Sequence, residues 1–139
     1  MKKLTTEIIA LCDYALVAKD NKLSIVGIFD EFRVEKFPTG FIDKFLVATV
    51  HGDPSTPYKL IVELHKDNSD HNLLNPTTVN ANTSSNGKHN LIIRLTNVGF
   101  EKEGDYFFKI FDGSHLVGST HLKVIKLGKP VEKNILLPN

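Results

Sequence analysis

The chain has 139 residues, of which 41% are hydrophobic and 24% are charged, the size and composition of one ordinary globular domain with a single core. Lys and Arg number 17 against 16 Asp and Glu, so the net charge attracts neither nucleic acid nor an anionic membrane over long range. The apolar run after Met-Lys-Lys is broken by polar residues, and the single cysteine cannot form an internal disulfide. We therefore expect a cytoplasmic protein with no leader sequence and no membrane partner.

Apolar side chains recur at every second residue or in short β-branched runs, and clusters of Gly, Asn, Asp and Pro separate these runs. This pattern predicts eight strands and no helix. Residues 7–17 and 23–34, joined through residues 19–22, predict a long first hairpin. Residues 45–51 and 58–65 predict a second adjacent pair, because their connection has the composition of a turn.

The middle of the chain is strongly polar: between residues 67 and 87, 16 of 21 residues are Asn, Asp, Ser, Thr, Gly or Pro. Long loops are expected there, with at most one short strand at residues 77–82. Regular alternation then resumes. The last three strands are predicted at residues 89–98, 105–111 and 116–125.

Short antiparallel strands in this number close as a sandwich or a barrel. Gly104-Asp105-Tyr106 enters a strand and resembles the tyrosine corner of immunoglobulin-like sandwiches, in which the phenol bonds back to nearby backbone. We predict an all-β, immunoglobulin-like antiparallel two-sheet sandwich of about seven to nine strands over residues 1–127. Residues 128–139 are predicted to form a C-terminal tail that packs on the same or a neighbouring chain, because they are too apolar for a solvated terminus.

The first hairpin is unusual because both of its faces are apolar. In a two-sheet sandwich the partner sheet covers only the inner face, so the outer face must meet the tail, a loop or another subunit. The leading hypothesis is therefore a non-catalytic binding or assembly module that acts through the first hairpin and the tail. Its partner would be another protein or a second copy of the chain, giving a homo-oligomer.

Two carboxylates interrupt this hairpin. If Ala18 pairs with Leu23 across the turn, Asp13 and Asp30 share one face, with Cβ atoms roughly 5 to 8 Å apart. That spacing suits an acid and base pair or a shared cation, so the alternative function is a hydrolase or a metal-dependent site. A structural interpretation is also open, in which each carboxylate caps backbone amides or pairs with Arg33 or a lysine. A slip of one residue in register would separate the two carboxylates.

A second metal hypothesis uses Glu63 and His65, which share a strand face, together with His51 at the end of the preceding strand. Solvated histidines at strand ends are the ordinary alternative. Cys12 lies in an apolar strand, where a free cysteine behaves as a small hydrophobe. The sequence has no Gly-rich phosphate loop and no G-x-S-x-G elbow. An enzyme is therefore not favoured, and no catalytic, cofactor-binding or metal residue is assigned and no cofactor is expected.

Both ends of the chain carry recognisable motifs. Near the start these are Ala-Leu-Cys-Asp-Tyr-Ala at residues 10–15 and Gly-Ile-Phe-Asp at residues 27–30. Near the end they are Gly-Asp-Tyr-Phe-Phe from Gly104 and the Asp112-Gly113 turn. In these motifs the chain resembles a bacterial family of small immunoglobulin-like β-sandwich proteins of unknown function. The resemblance implies a sandwich, a cytosolic bacterial protein, and no assigned activity or catalytic residue to carry over.

Overall fold

A computed structural model describes residues 2–128, and within this range the backbone forms strands, turns and loops but no helix. The prediction of an all-β chain is therefore confirmed. The predicted tail lies outside the described residues, apart from its first residue, and the proposed division at residue 127 stays a prediction. In chain order the strands are β1 (Thr5–Val17), β2 (Leu23–Phe29), β3 (Glu31–Val34), β4 (Thr39–Phe41), β5 (Lys44–His51), β6 (Pro57–Lys66), β7 (Thr77–Asn82), β8 (Lys88–Leu95), β9 (Val98–Phe100), β10 (Gly104–Asp112) and β11 (His115–Lys126).

The strands form two main sheets, of four strands in the order β2-β1-β5-β8 and of five strands in the order β3-β11-β10-β6-β7. A short pair, β4-β9, forms a third sheet. All neighbours are antiparallel except β3 and β11, which run parallel. Buried side chains from both main sheets form one core cluster, so the predicted two-sheet sandwich is confirmed.

The strand count exceeds the prediction because one predicted strand divides and two short strands were missed. Residues 23–34 are two strands, β2 and β3, which belong to different sheets. The chain changes sheet at Asp30, whose backbone carbonyl accepts a hydrogen bond from Lys123 N at 2.9 Å. The missed strands β4 and β9 are three residues each, too short for an alternation pattern to emerge.

The predicted pairing of residues 45–51 with residues 58–65 is wrong. Both segments are strands, but β5 pairs with β1 and β8, whereas β6 pairs with β10 and β7. The segment between them does contain a turn, as its composition predicts, but this turn carries the chain from one sheet to the other. Alternation along a strand records which side chains are buried and contains no information about which strand lies beside it.

Aromatic rings close one end of the core. Phe100 lies 4.8 Å from Tyr106 and Phe41 lies 4.9 Å from Phe32, measured between ring centroids. The Tyr106 hydroxyl donates a hydrogen bond to the Lys102 carbonyl, four residues upstream. The predicted tyrosine corner is therefore confirmed, and burial raises the pKa of the Tyr106 phenol above its usual 10.0.

The polar middle segment also agrees with the prediction, because its one strand is β7 at residues 77–82. The loop before β7 is held to the five-stranded sheet at Leu64, whose amide donates to Asn72 Oδ1 at 3.0 Å and whose carbonyl accepts from Leu73 N at 2.8 Å. At the last hairpin, Gly113 has a φ of 60°, the left-handed conformation that a tight turn requires and glycine adopts without strain.

Candidate functional site

The first hairpin is the feature that the sequence singled out, and its register differs by one residue from the predicted one. Ala18 N donates to the Lys22 carbonyl at 2.9 Å, so Ala18 lies opposite Lys22 rather than Leu23. Asn21 completes this shorter turn with a φ of 67°, which Asn tolerates better than most residues.

The outer face of the four-stranded sheet, which points away from the main core, carries a second buried cluster. Leu46 belongs to the main core, whereas its neighbour Val47 is fully buried in the second cluster. Because successive side chains of a strand point to opposite faces, Val47 must lie on the outer face. Cys12, next to the core residue Leu11, is fully buried in the same second cluster.

The far end of the hairpin covers this second cluster. Ala15 of β1 is part of it, and Leu23 and Ile25 of β2 pack against it. Ala15 lies three residues after Cys12, so in a regular strand the two side chains would point to opposite faces, yet both belong to this outer-face cluster. The hairpin must therefore change direction between them and turn toward the outer face of its own sheet.

A second observation supports the bend. Val17, at the end of β1, borders the same cleft as Thr49 of β5. Thr49 pairs with Ile8, nine residues before Val17, and a straight strand would put about 30 Å between those two positions. The outer face of the first hairpin's base is thus covered by the tip of the same hairpin.

The bend falls where β1 and β2 both become irregular. Gly27 has a φ of 72°, and a Cβ at this position would lie 2.5 Å from Asp13 Oδ2. Asp13 in turn forms an ion pair with Lys44 Nζ at 2.7 Å. Lys44 also lies over the ring of Phe29, 5.7 Å from its centroid. We call Asp13, Gly27 and Lys44 the hinge of the hairpin.

The bent hairpin also exposes apolar side chains to solvent. Tyr14 pairs with Val26, and they are 53% and 56% exposed. Leu16 follows Tyr14 by two residues on β1, and Ile28 follows Val26 by two residues on β2; they are 41% and 65% exposed. We call Tyr14, Leu16, Val26 and Ile28 the hairpin patch.

Asp13 and Asp30 do not form the predicted pair. In the observed register Asp13 lies beside Gly27, and three residues, or about 10 Å of strand, separate Gly27 from Asp30. Asp30 lies at the change of sheet and is exposed. The structural interpretation therefore holds for Asp13, whose partner is Lys44. The predicted register assumed a turn one residue longer, and that slip alone reverses which face a side chain occupies.

Glu63 and His65 are close, with His65 Nε2 2.7 Å from Glu63 Oε1. His65 Nδ1 also lies 3.2 Å from Lys109 Nζ. His51 belongs to the other sheet and faces Glu7, at 3.9 Å. Within residues 2–128 no three His, Cys, Asp or Glu side chains are grouped closely enough to hold a metal ion. The three residues of the second metal hypothesis are therefore not brought together.

Cys12 is a free thiol beneath the folded-back hairpin. Burial raises the pKa of this thiol above its usual 9.0, and the charge of Asp13 raises it slightly further, whereas a hydrogen bond with the Tyr14 backbone opposes the rise. A raised pKa keeps the sulfur protonated and weakly nucleophilic. Cys12 thus has the packing role expected from its apolar surroundings.

The sequence reasoning passed over two residues of the hinge, Gly27 and Lys44. A glycine inside an apolar strand is a recognised indicator of a bulge or a close backbone approach, so Gly27 could have marked the bend. Lys44 gave no such indication, because its ion pair with Asp13 joins positions 31 residues apart in the chain.

Two packed sheets of mostly antiparallel strands, together with a tyrosine corner, define an immunoglobulin-like β-sandwich. The chain belongs to a family of unknown function, DUF6941, whose model matches residues 7–125. This confirms the resemblance read from both ends of the sequence. No curated protein matches the chain at a significant level.

Solved structures with a similar fold share little sequence with this chain. A β-glucosidase from Listeria innocua, crystallised with isofagomine, is 10% identical, with 91% of this chain covering 17% of that chain at a TM-score of 0.50. An immunoglobulin-like protein from Pseudomonas aeruginosa is 11% identical, with coverage of 88% of this chain and 96% of that one at a TM-score of 0.46. At such identities the similarity concerns the fold alone. Residues 2–128 contain no helix of the length and apolarity needed to cross a membrane.

Proposed function

We propose that the protein is a non-catalytic assembly module that binds a second copy of itself through the hairpin patch. The observation that carries the proposal is the concentration of exposed apolar side chains on one element. Among residues 2–128, eleven large hydrophobic side chains are exposed; six of them lie on β1 and β2, and four of those six form the hairpin patch. Contiguous exposed apolar surface of this kind is typical of interaction sites.

The size of the hairpin patch suits the centre of an interface. If a fully exposed large side chain presents roughly 150–250 Å², the four residues offer on the order of 400 Å² of apolar surface. Interfaces are slightly more than half apolar by area, so an interface that contains this apolar surface would bury about 700 Å² on each partner. Stable pairs of proteins bury about 800 Å² per partner.

Charge favours a second copy as the partner. None of the four side chains of the hairpin patch is charged, and the nearby Asp13 is neutralised by Lys44. Two copies of this surface can therefore meet without opposing like charges. The net charge of +1 at pH 7 also gives little repulsion between whole molecules.

Sedimentation velocity at protein concentrations from about 1 to about 100 micromolar tests the proposal. The Ile28→Glu variant places a charge in the hairpin patch, and the Ile42→Glu variant is the matched control. Ile42 is 89% exposed but lies outside the hairpin. We expect a wild-type dimer, an Ile28→Glu variant whose association is weaker by more than about tenfold, and an unchanged Ile42→Glu variant. A wild-type monomer across the whole range, or equal effects of the two substitutions, would overturn the proposal.

A further inference from the structure

The bent hairpin also encloses a cleft of about 640 Å³ on the outer face of the four-stranded sheet. Its floor is Thr49 and Asn90, one wall is the hairpin tip with Asn21, and the other wall is the β7–β8 connection with Ser84 and Asn86. The volume is in the range of ordinary small-molecule sites. None of the four residues of the hairpin patch lines this cleft, so the cleft is separate from the proposed self-association.

Two asparagines that line the cleft have their amide oxygens hydrogen-bonded within the protein. Asn86 Oδ1 accepts a hydrogen bond from Lys88 N at 3.0 Å. Because a backbone N–H can only donate, the oxygen of the Asn86 amide must face Lys88 N, and the NH₂ group takes no part in this hydrogen bond. Asn90 Oδ1 accepts from Thr49 Oγ1 at 2.7 Å. Both amide oxygens are therefore engaged within the protein, which leaves the NH₂ groups of these two lining residues as amide donors for a ligand in the cleft.

The charge of the cleft is one-sided. Among the described residues that line the cleft, none is acidic, and Lys88 is the only charged side chain when His89 is counted as neutral. Lys88 Nζ already holds one carboxylate, that of Glu7, at 3.0 Å. Glu7 does not line the cleft. Amide NH₂ donors beside an ammonium group complement oxygen atoms that carry negative charge.

We propose that this cleft binds a small molecule bearing an oxyanion, either a carboxylate or a phosphate. The NH₂ groups of Asn86 and Asn90 donate to the anion's oxygens, and the ammonium group of Lys88 supplies the charge. Because Glu7 shares Lys88 with the ligand, Glu7 weakens binding of the anion.

The test is a titration of ¹⁵N-labelled full-length protein, followed through the side-chain NH₂ resonances of Asn86 and Asn90. The probes are sodium citrate, inorganic phosphate and glucose, each at constant ionic strength. A saturable shift with citrate, phosphate or both is expected, and the two anions distinguish a carboxylate ligand from a phosphate ligand. Saturation with glucose alone, or with none of the three probes, would overturn the proposal.

Three variants sharpen the test. Asn90→Asp keeps an acceptor for Thr49 but replaces the NH₂ donor with a negative oxygen, so anion affinity should fall by more than about tenfold. Asn97→Asp adds the same charge outside the cleft and should change affinity by less than about twofold. Glu7→Gln frees Lys88 and should raise affinity several-fold. Equal losses in the two Asn→Asp variants would show only a general effect of charge and would contradict the site.

Discussion

The last hairpin, β10–β11, has a paired strand on each side, β6 and β3, whereas the first hairpin has a neighbour, β5, on one side only. β10 pairs with β6 over residues 106–111, and β11 pairs with β3 over residues 123–126, so the sheet holds the last hairpin on both edges. The pairing of β1 with β5 ends at Cys12, and beyond that residue the first hairpin is free to leave the sheet. Where ladders fix both edges, they determine the shape of a hairpin. Where one ladder stops, the burial of apolar side chains determines it.

The difference between the hairpins has a consequence for exposed surface. By bending at Asp13 and Gly27, the first hairpin packs Ala15 and Ile25 on its own sheet, while Tyr14 and Val26 stay exposed. An apolar hairpin at the edge of a sheet can cover only part of its apolar surface by itself. The apolar side chains left uncovered form the hairpin patch, which is available to a partner.

The largest expected effect is that of Gly27→Ala at the hinge. A left-handed φ costs a residue with a Cβ about 1–2 kcal/mol, and the Cβ would also meet Asp13 Oδ2 at 2.5 Å. We expect a loss of about 2–3 kcal/mol in the free energy of unfolding, measured by urea denaturation.

Gly113→Ala in the last hairpin is the matched control for Gly27→Ala. Gly113 has a φ of 60°, and a Cβ there would have no atom within 4 Å. Only backbone strain applies, so the expected loss is about 1 kcal/mol. Equal losses at the two glycines would mean that the contact between Gly27 and Asp13 does not hold the bend.

A smaller effect is expected for Tyr106→Phe at the tyrosine corner. Removing the hydroxyl that donates to the Lys102 carbonyl should cost about 1 kcal/mol. Tyr14→Phe removes a hydroxyl from the exposed hairpin patch and should change stability by less than about 0.5 kcal/mol. Urea unfolding of both variants checks this contrast, which fails if the two substitutions have the same cost.

Tyr106 should also contribute to loss of stability in alkaline solution. Burial raises the pKa of its phenol in the folded protein above 10.0, so folding favours the neutral form. This contribution is fully present below the unfolded pKa of about 10 and is lost as the pH rises through the folded pKa. Tyr106→Phe should therefore lose less stability between pH 9 and about 11 than the wild type. A parallel decline of the two proteins in urea titrations would contradict this assignment.

The smallest effect on stability is expected for Lys44→Gln. The Lys44–Asp13 pair is partly exposed, with 35% and 57% of the side chains accessible, so its loss should cost less than about 1 kcal/mol. Arg94→Gln breaks the exposed pair with Asp43 and is the control. Lys44→Gln alone should increase hydrogen exchange at the hairpin amides of residues 14–25, because it loosens the hinge. Equal hydrogen exchange at these amides in the two variants would show that Lys44 does not hold the hinge.

Much of the fold could be predicted from the sequence because alternation and turn composition are local properties. They placed the strands of the last hairpin, the short strand β7 and the corner at Tyr106 close to where they lie. They could not place β5 and β6 in separate sheets, because partners in a sandwich are chosen by contacts that are distant in sequence.

The candidate site was predictable only in part. The two-faced composition of the first hairpin correctly indicated excess apolar surface, and its turn was identified. The predicted register of the first hairpin was wrong by one residue, and in the observed register Asp13 and Asp30 do not lie beside each other. The bend was missed because it depends on the φ of Gly27 and on the end of the β1–β5 ladder. Neither property appears in a pattern of hydrophobic residues.

The central claim is that the first hairpin folds back over Cys12, and the reactivity of this single thiol tests it most directly. A chromogenic aryl disulfide reagent reacts only with a thiol that it can reach. The folded protein should react at least about 100-fold more slowly than the urea-unfolded chain, because Cys12 is fully buried beneath the hairpin. Native reaction at the rate of the unfolded chain would contradict the fold-back.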